Sequence, residues 1–161
     1  MSWRSPRSLR VVGAVRAARR LTRDDWTVLA TAAVMLPAAI LALKLVNLSR
    51  LLRAAKTAAG RRPPASAQAE GERVVRLVDA AAGWCVPRPT CLARALVAFV
   101  VLQRRAIPAR FVLGIAKTRG ALEGHAWVEV GLAPVAGRES GAFLPLIVVD
   151  ARSVVRSEPA A

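Results

Sequence analysis

Tyrosine is absent from this chain of 161 residues, aromatic side chains make up 4% of it, and it carries one histidine and two cysteines. So few aromatics leave little with which to stack bases, and no zinc-finger, RRM or KH signature appears. Cys85 and Cys91 cannot build a disulfide framework. With His125 they supply three soft ligands without a paired C-x-x-C spacing, so no metal is expected. Acidic residues are also scarce, 10 against 25 basic, which leaves a net charge of +15. A basic surface of that kind suits nucleic acid, anionic lipid or an acidic peptide. Of the basic residues 22 are arginine, scattered except for seven in the first 23 positions, and nucleic acid is not expected as the partner.

What the chain has in quantity is apolar side chains, 55% of the total, which excludes disorder of the chain as a whole. Its length allows one domain with a real core and an appendage. Residues 1–21 read as a flexible basic arm and 22–60 as an apolar helical region. Thr22 is a cap for the helix that follows, with Asp24 and Asp25 at the positive end of its dipole. Trp26 to Leu43 is almost uninterruptedly apolar, with Pro37 inside. Within it Val28 to Leu43 is short of the ~20 residues that cross a bilayer, so a buried or groove-forming helix pair is expected, with membrane association left open. Residues 61–71 read as a linker and 72–155 as a second folded region.

In that second region Glu72 to Ala82 has the period of a short amphipathic helix. Trp84 to Pro89 is a loop, and Thr90 caps an apolar helix over 91–105. Ala109 to Ala116 and His125 to Val130 read as paired strands joined by a turn at Arg119-Gly120. After a long loop from Gly131 to Gly141, Leu144 to Asp150 forms a third strand, and the tail from Ala151 is expected to be loose. A helix followed by an antiparallel sheet is an α+β layout.

Three positions carry the chemistry. Free cysteine titrates near ~8.5, and a helix N-terminus is one of the places where a thiolate is stabilised. Cys91 occupies that place. His125, entering a strand, can take or share the proton, and Asp150 is the first choice for the acceptor that would orient the imidazole. Glu139, in the long loop, ranks second. Glu129, on the same strand face as His125, ranks third. Cys85 lacks a helix start, and its loop is expected to wall the cleft and to offer an oxyanion donor beside the Cys91 N–H. No cofactor is required.

Trp84, the block Cys91-Leu-Ala-Arg-Ala-Leu96, the stretch Leu102 to Lys117 and Gly124-His-Ala-Trp-Val-Glu-Val130 together resemble the lasso-peptide leader peptidases, the transglutaminase-like B proteins. The resemblance implies a transglutaminase-like (papain-like) cysteine protease core that removes the leader from a ribosomal precursor peptide through a thioester acyl-enzyme. It also implies a separate leader-recognition protein and a cyclase as partners, and a thiol that must stay reduced fits a cytoplasmic setting, with membrane association left open. The family's acidic position falls in the short stretch after H-A-W-V-E, where this chain has no aspartate. Asp150 fits the wider transglutaminase-like pattern. Two rival readings are an acyltransferase using the same residues and a non-catalytic basic protein that binds membrane or nucleic acid.

Overall fold

The computed structural model describes residues 21–57, 66–118, 121–131, 133–135, 143–150 and 154–156. Among these residues the helices come first: α1 (Arg23–Leu45), α2 (Leu48–Thr57), α3 (Ala67–Ala82) and α4 (Cys91–Arg104). The strands β1 (Ala109–Thr118), β2 (Ala121–Val130), β3 (Ala133–Pro134), β4 (Leu144–Val149) and β5 (Val154–Arg156) follow. This is the helix-then-antiparallel-sheet arrangement that the periodicities predict.

The start of α1 is over-determined. The Thr22 hydroxyl accepts the Asp25 N–H at 3.2 Å, and the Asp25 carboxylate accepts the Thr22 N–H at 2.8 Å, closing a capping box. Asp25 is buried and also accepts from Arg73 Nε and Nη2 of α3, at 2.6 and 2.5 Å. The Arg73 hydrogen bonds, aided by those from Thr22, hold its carboxyl at about 2. Next to it, the Asp24 carboxylate receives both terminal nitrogens of Arg105, each at 2.8 Å, which lowers its pKa as well. These pairs clamp the first turn of α1 to α3 and to the end of α4.

Beyond that turn α1 runs on as one helix through the exposed Pro37, and it buries the stripe Val28, Ala32, Leu36 and Ala39. Of the expected buried or groove-forming pair, the groove is what the structure shows, because much of the helix is exposed. Only 17% of its most apolar window is buried, and by length and composition it could cross a membrane. Against α4 the helix runs antiparallel. Val28 and Thr31 share one pocket with Val101 and Arg105, while Ala38, Ala39 and Ala42 share an apolar groove of about 240 Å³ with Leu96, Val97 and Val100. Leu51, Ala54 and Ala55 of α2 line the same groove.

The helix α3 starts inside the stretch predicted as linker. Ala67, Gln68, Ala69 and Glu70 are good helix formers, and Gly71 is kept where a Cβ would lie 2.7 Å from Val130 Cγ2. The helix therefore sits tight on β2. The sheet order is β3-β2-β1-β4-β5, with every neighbouring pair antiparallel. β3 lies inside the predicted loop, and β5 in the tail predicted as loose. Buried side chains from Val28 in α1 to Val149 in β4 form a single core, with Phe99 edge-on to Phe111 at 6.1 Å between ring centroids.

Candidate active site

Thr90 and the residues after it set the geometry of Cys91. The Thr90 side chain accepts the Ala93 N–H at 3.3 Å, and its carbonyl accepts the Arg94 N–H at 3.1 Å. A helix start leaves its first N–H groups for other partners, here those of Cys91 and Leu92, and they carry the positive end of the dipole. Cys91 is half-buried and its sulfur is a free thiol.

β1 then returns antiparallel to α4, which decides what Cys91 meets. Fourteen helical residues cover about 21 Å, the length of roughly six strand residues. Counting from Ala109, that distance ends near Gly114, and Gly114 is paired with His125 of β2. The strand then runs on past the helix layer, and residues 121–124 are exposed. His125 sits at this margin. A cleft of about 140 Å³ lies there, lined by Cys91, His125, Ala126, Asp79 and Arg94 among others. Thus Cys91 and His125, the sole histidine of the chain, both line one cavity.

The imidazole is held by aromatic rings. Along β2, Ala126, Val128 and Val130 belong to the helix-facing core, and His125, Trp127 and Glu129 alternate with them. The His125 ring stacks on Trp127, 6.1 Å between centroids and 18° between planes, and tilts against Phe143 at 5.1 Å. Its Nε2 is buried and makes no hydrogen bond among the described residues. Gly114 makes the stack possible, because a Cβ there would lie 2.7 Å from Trp127 Cη2 and 2.8 Å from the Leu144 carbonyl oxygen.

The acidic candidates are placed differently from one another. Asp150 is not brought to the pair. Val149 pairs with Phe111, and Phe111 pairs with Val128, so Asp150 falls near the level of Glu129, two strands away from β2. His125 is four residues further along, which separates the two by about 13 Å along the strands and about 10 Å across them. For Asp150 to orient the imidazole the third strand would have to lie beside the histidine strand, whereas β4 pairs with β1 and β3 takes the other edge of β2. Glu129 is committed elsewhere: it accepts from Arg110 Nη2 at 2.5 Å and from the Trp127 indole N–H at 3.0 Å. It fixes the ring on which His125 stacks. Glu139 lies outside the described residues.

Two cleft residues were missed from the sequence, Asp79 of α3 and Arg94 of α4, joined at 3.3 Å. Arg94 lies three positions after Cys91, the spacing of one helix face, and that was a usable signal. Nothing in the sequence singled out Asp79. The loop expected as a cleft wall does not serve as one: Trp84 and Val86 are 84% and 92% exposed, and α3 supplies the wall through Val75 and Val78.

The model of the Transglutaminase-like superfamily matches residues 32–148. No curated protein and no solved structure matches the chain.

Proposed function

The chain belongs to the transglutaminase-like superfamily, and from that footing we propose that it is a cysteine peptidase that cuts the leader from a ribosomally made, lasso-type precursor peptide. The observation that carries this reading is the shared cleft: Cys91 at a capped helix start and His125 at the strand margin line one cavity. Cys91 Sγ attacks the scissile carbonyl carbon while His125 takes the thiol proton. The tetrahedral oxyanion is met by N–H groups at the start of α4. The C–N bond then breaks, His125 returns the proton to the leaving amine, and a thioester remains. Water, deprotonated by the same imidazole, hydrolyses the thioester and restores the thiol.

Support for His125 as the proton carrier is its place in the lining of the Cys91 cleft, with an Nε2 that has no hydrogen-bond partner among the described residues. In an empty enzyme the nucleophile–base hydrogen bond is often long and tightens on substrate. No step is given to Asp150, and the ring's orientation is assigned to Trp127 and Phe143. The work is cytoplasmic in this reading, since the thiol must stay reduced. The partners are the precursor's leader, a separate leader-recognition protein and the cyclase that consumes the freed amine.

The test is to incubate the full chain and a leader-recognition partner with a precursor peptide and to weigh the products. Expected are free leader and free core from the wild type and neither from Cys91→Ala, a loss of at least about a thousandfold on the scale of a missing nucleophile. A leader that leaves with an added amine in place of water would make the protein an acyltransferase. Cleavage that survives Cys91→Ala would end the reading.

A further inference from the structure

The outer face of α1 has no partner among the described residues, and its composition is unusual for a surface. At 100° per residue, Trp26, Ala30, Ala33, Val34, Pro37, Leu41, Lys44 and Leu45 fall within one wedge of the helix, and each of them is exposed. Val34 is 74% exposed, Leu41 58%, Leu45 73% and Trp26 54%. No hydrogen-bonding side chain stands on that face between Thr27 and Lys44, a length of about 26 Å. An apolar strip of this extent on a protein surface marks something that covers it.

Charge shows what. From Trp26 to Thr57 there is no aspartate or glutamate, while Lys44, Arg50, Arg53 and Lys56 are all basic. Lys44, Arg50 and Arg53 are exposed. The acids that begin the helix, Asp24 and Asp25, are already neutralised by Arg105 and Arg73. An apolar face that ends in Lys44, followed in the chain by two exposed arginines, with a tryptophan at its far end matches a bilayer with anionic headgroups. A protein interface would be expected to carry a hydrogen bond for every 100–200 Å² or so, and this face offers none over most of its length. A second copy laid antiparallel on the face would set Lys44 against Arg23 of its neighbour.

We propose that α1 is a lipid-contacting helix that lies side-on in the surface of an anionic membrane, with the domain still folded against its other side. Side-on, because Val28, Ala32, Leu36 and Ala39 are packed in the core and the first turn is clamped by two ion pairs. Since α1 runs antiparallel to α4, its basic end lies at the same end of the helix layer as Cys91, so lipid contact holds the cleft end of the molecule at the membrane surface. The inference is independent of the peptidase reading and would stand if Cys91 proved inert.

The experiment is flotation of the full chain with vesicles of phosphatidylcholine alone or mixed with phosphatidylglycerol, at low and high salt. Wild type is expected to float with the anionic vesicles, and more weakly as salt rises. Val34→Glu with Leu41→Glu should cut the bound fraction about tenfold or more, because two charges would enter the acyl boundary. Both sites are exposed, so the circular dichroism melt should not change. Arg50→Glu with Arg53→Glu should weaken binding to anionic vesicles and leave any binding to phosphatidylcholine as it was. Flotation that survives the Val34/Leu41 pair would assign binding to the basic arm and overturn the proposal. So would failure to float at low salt, or a dimer that the same pair of changes dissolves while vesicles are ignored.

Discussion

The helices α1 and α4 are alike in composition and differ in company. Each begins with a threonine whose side chain accepts an N–H of the first turn, and each is apolar along nearly its whole length. Yet α4 has one exposed residue, Arg104, because α1, α2, α3, β1 and β2 all pack on it. α1 packs on α3 and α4, and it leaves a face of apolar side chains uncovered. An apolar run therefore states that a helix should leave water on several sides, and the number of neighbours decides whether the protein itself supplies the cover. That difference assigns the two helices separate work: α4 positions the thiol, and α1 meets the surroundings.

The sharpest way to break the comparison is through the buried side. Phe99→Ala in α4 removes a fully buried ring and its edge contact with Phe111. It should cost roughly 3–5 kcal/mol in urea unfolding. Leu36→Ala, on the one buried stripe of α1, should cost roughly 2–4 kcal/mol for the same reason. A loss under about 1 kcal/mol at Leu36 would mean that α1 is not docked on the core as described.

A smaller effect tests the clamp that holds α1 down. Asp25→Asn weakens the capping box and the pairing with Arg73, and should destabilise by about 2 kcal/mol near neutral pH. Asp25 has a folded-state pKa of about 2, depressed from 3.8 chiefly by the Arg73 hydrogen bonds. A depressed carboxylate contributes stability that is complete above its unfolded pKa and is lost as pH falls through the folded value. The gap between wild type and Asp25→Asn should therefore be constant above about pH 5 and shrink between about pH 4 and 2. Melting temperatures taken at intervals across that range check it, and a gap that does not narrow would remove the ion pair from the account.

How much of this was legible beforehand depended on the range of the interactions involved. Thr22, Thr90 and the start of the helix at Cys91 were readable because a cap and its N–H lie three residues apart. The β1–β2 pairing was readable because its turn is local. Asp150 was misplaced because strand order is not local: β4 comes after β2 in the chain but pairs with the far edge of β1. Its register also shifts at Leu113/Gly114, which no sequence pattern announces. The helix start at Ala67 was hidden by the adjoining Pro and Gly, although Ala, Gln and Glu there favour a helix. The outer face of α1 was obscured for another reason. Its residues are as apolar as those of its buried stripe, so periodicity had nothing with which to tell them apart.

The smallest expected effect is the one that speaks most directly to α1. Val34→Ser, two residues from Leu36 but 74% exposed, should change stability by no more than about 0.5 kcal/mol, measured by urea unfolding of the full chain in the absence of lipid. A serine there removes apolar surface that folding does not hide, so the folded and unfolded states lose nearly the same hydration cost. A destabilisation above about 1 kcal/mol would place Val34 beneath some other part of this chain, and the face would then be an ordinary piece of core. A value near zero leaves the valine without a role in folding. Side chains of that kind, kept in register along about three turns above a stripe that does hold the fold together, owe their apolar character to whatever the helix touches outside the molecule.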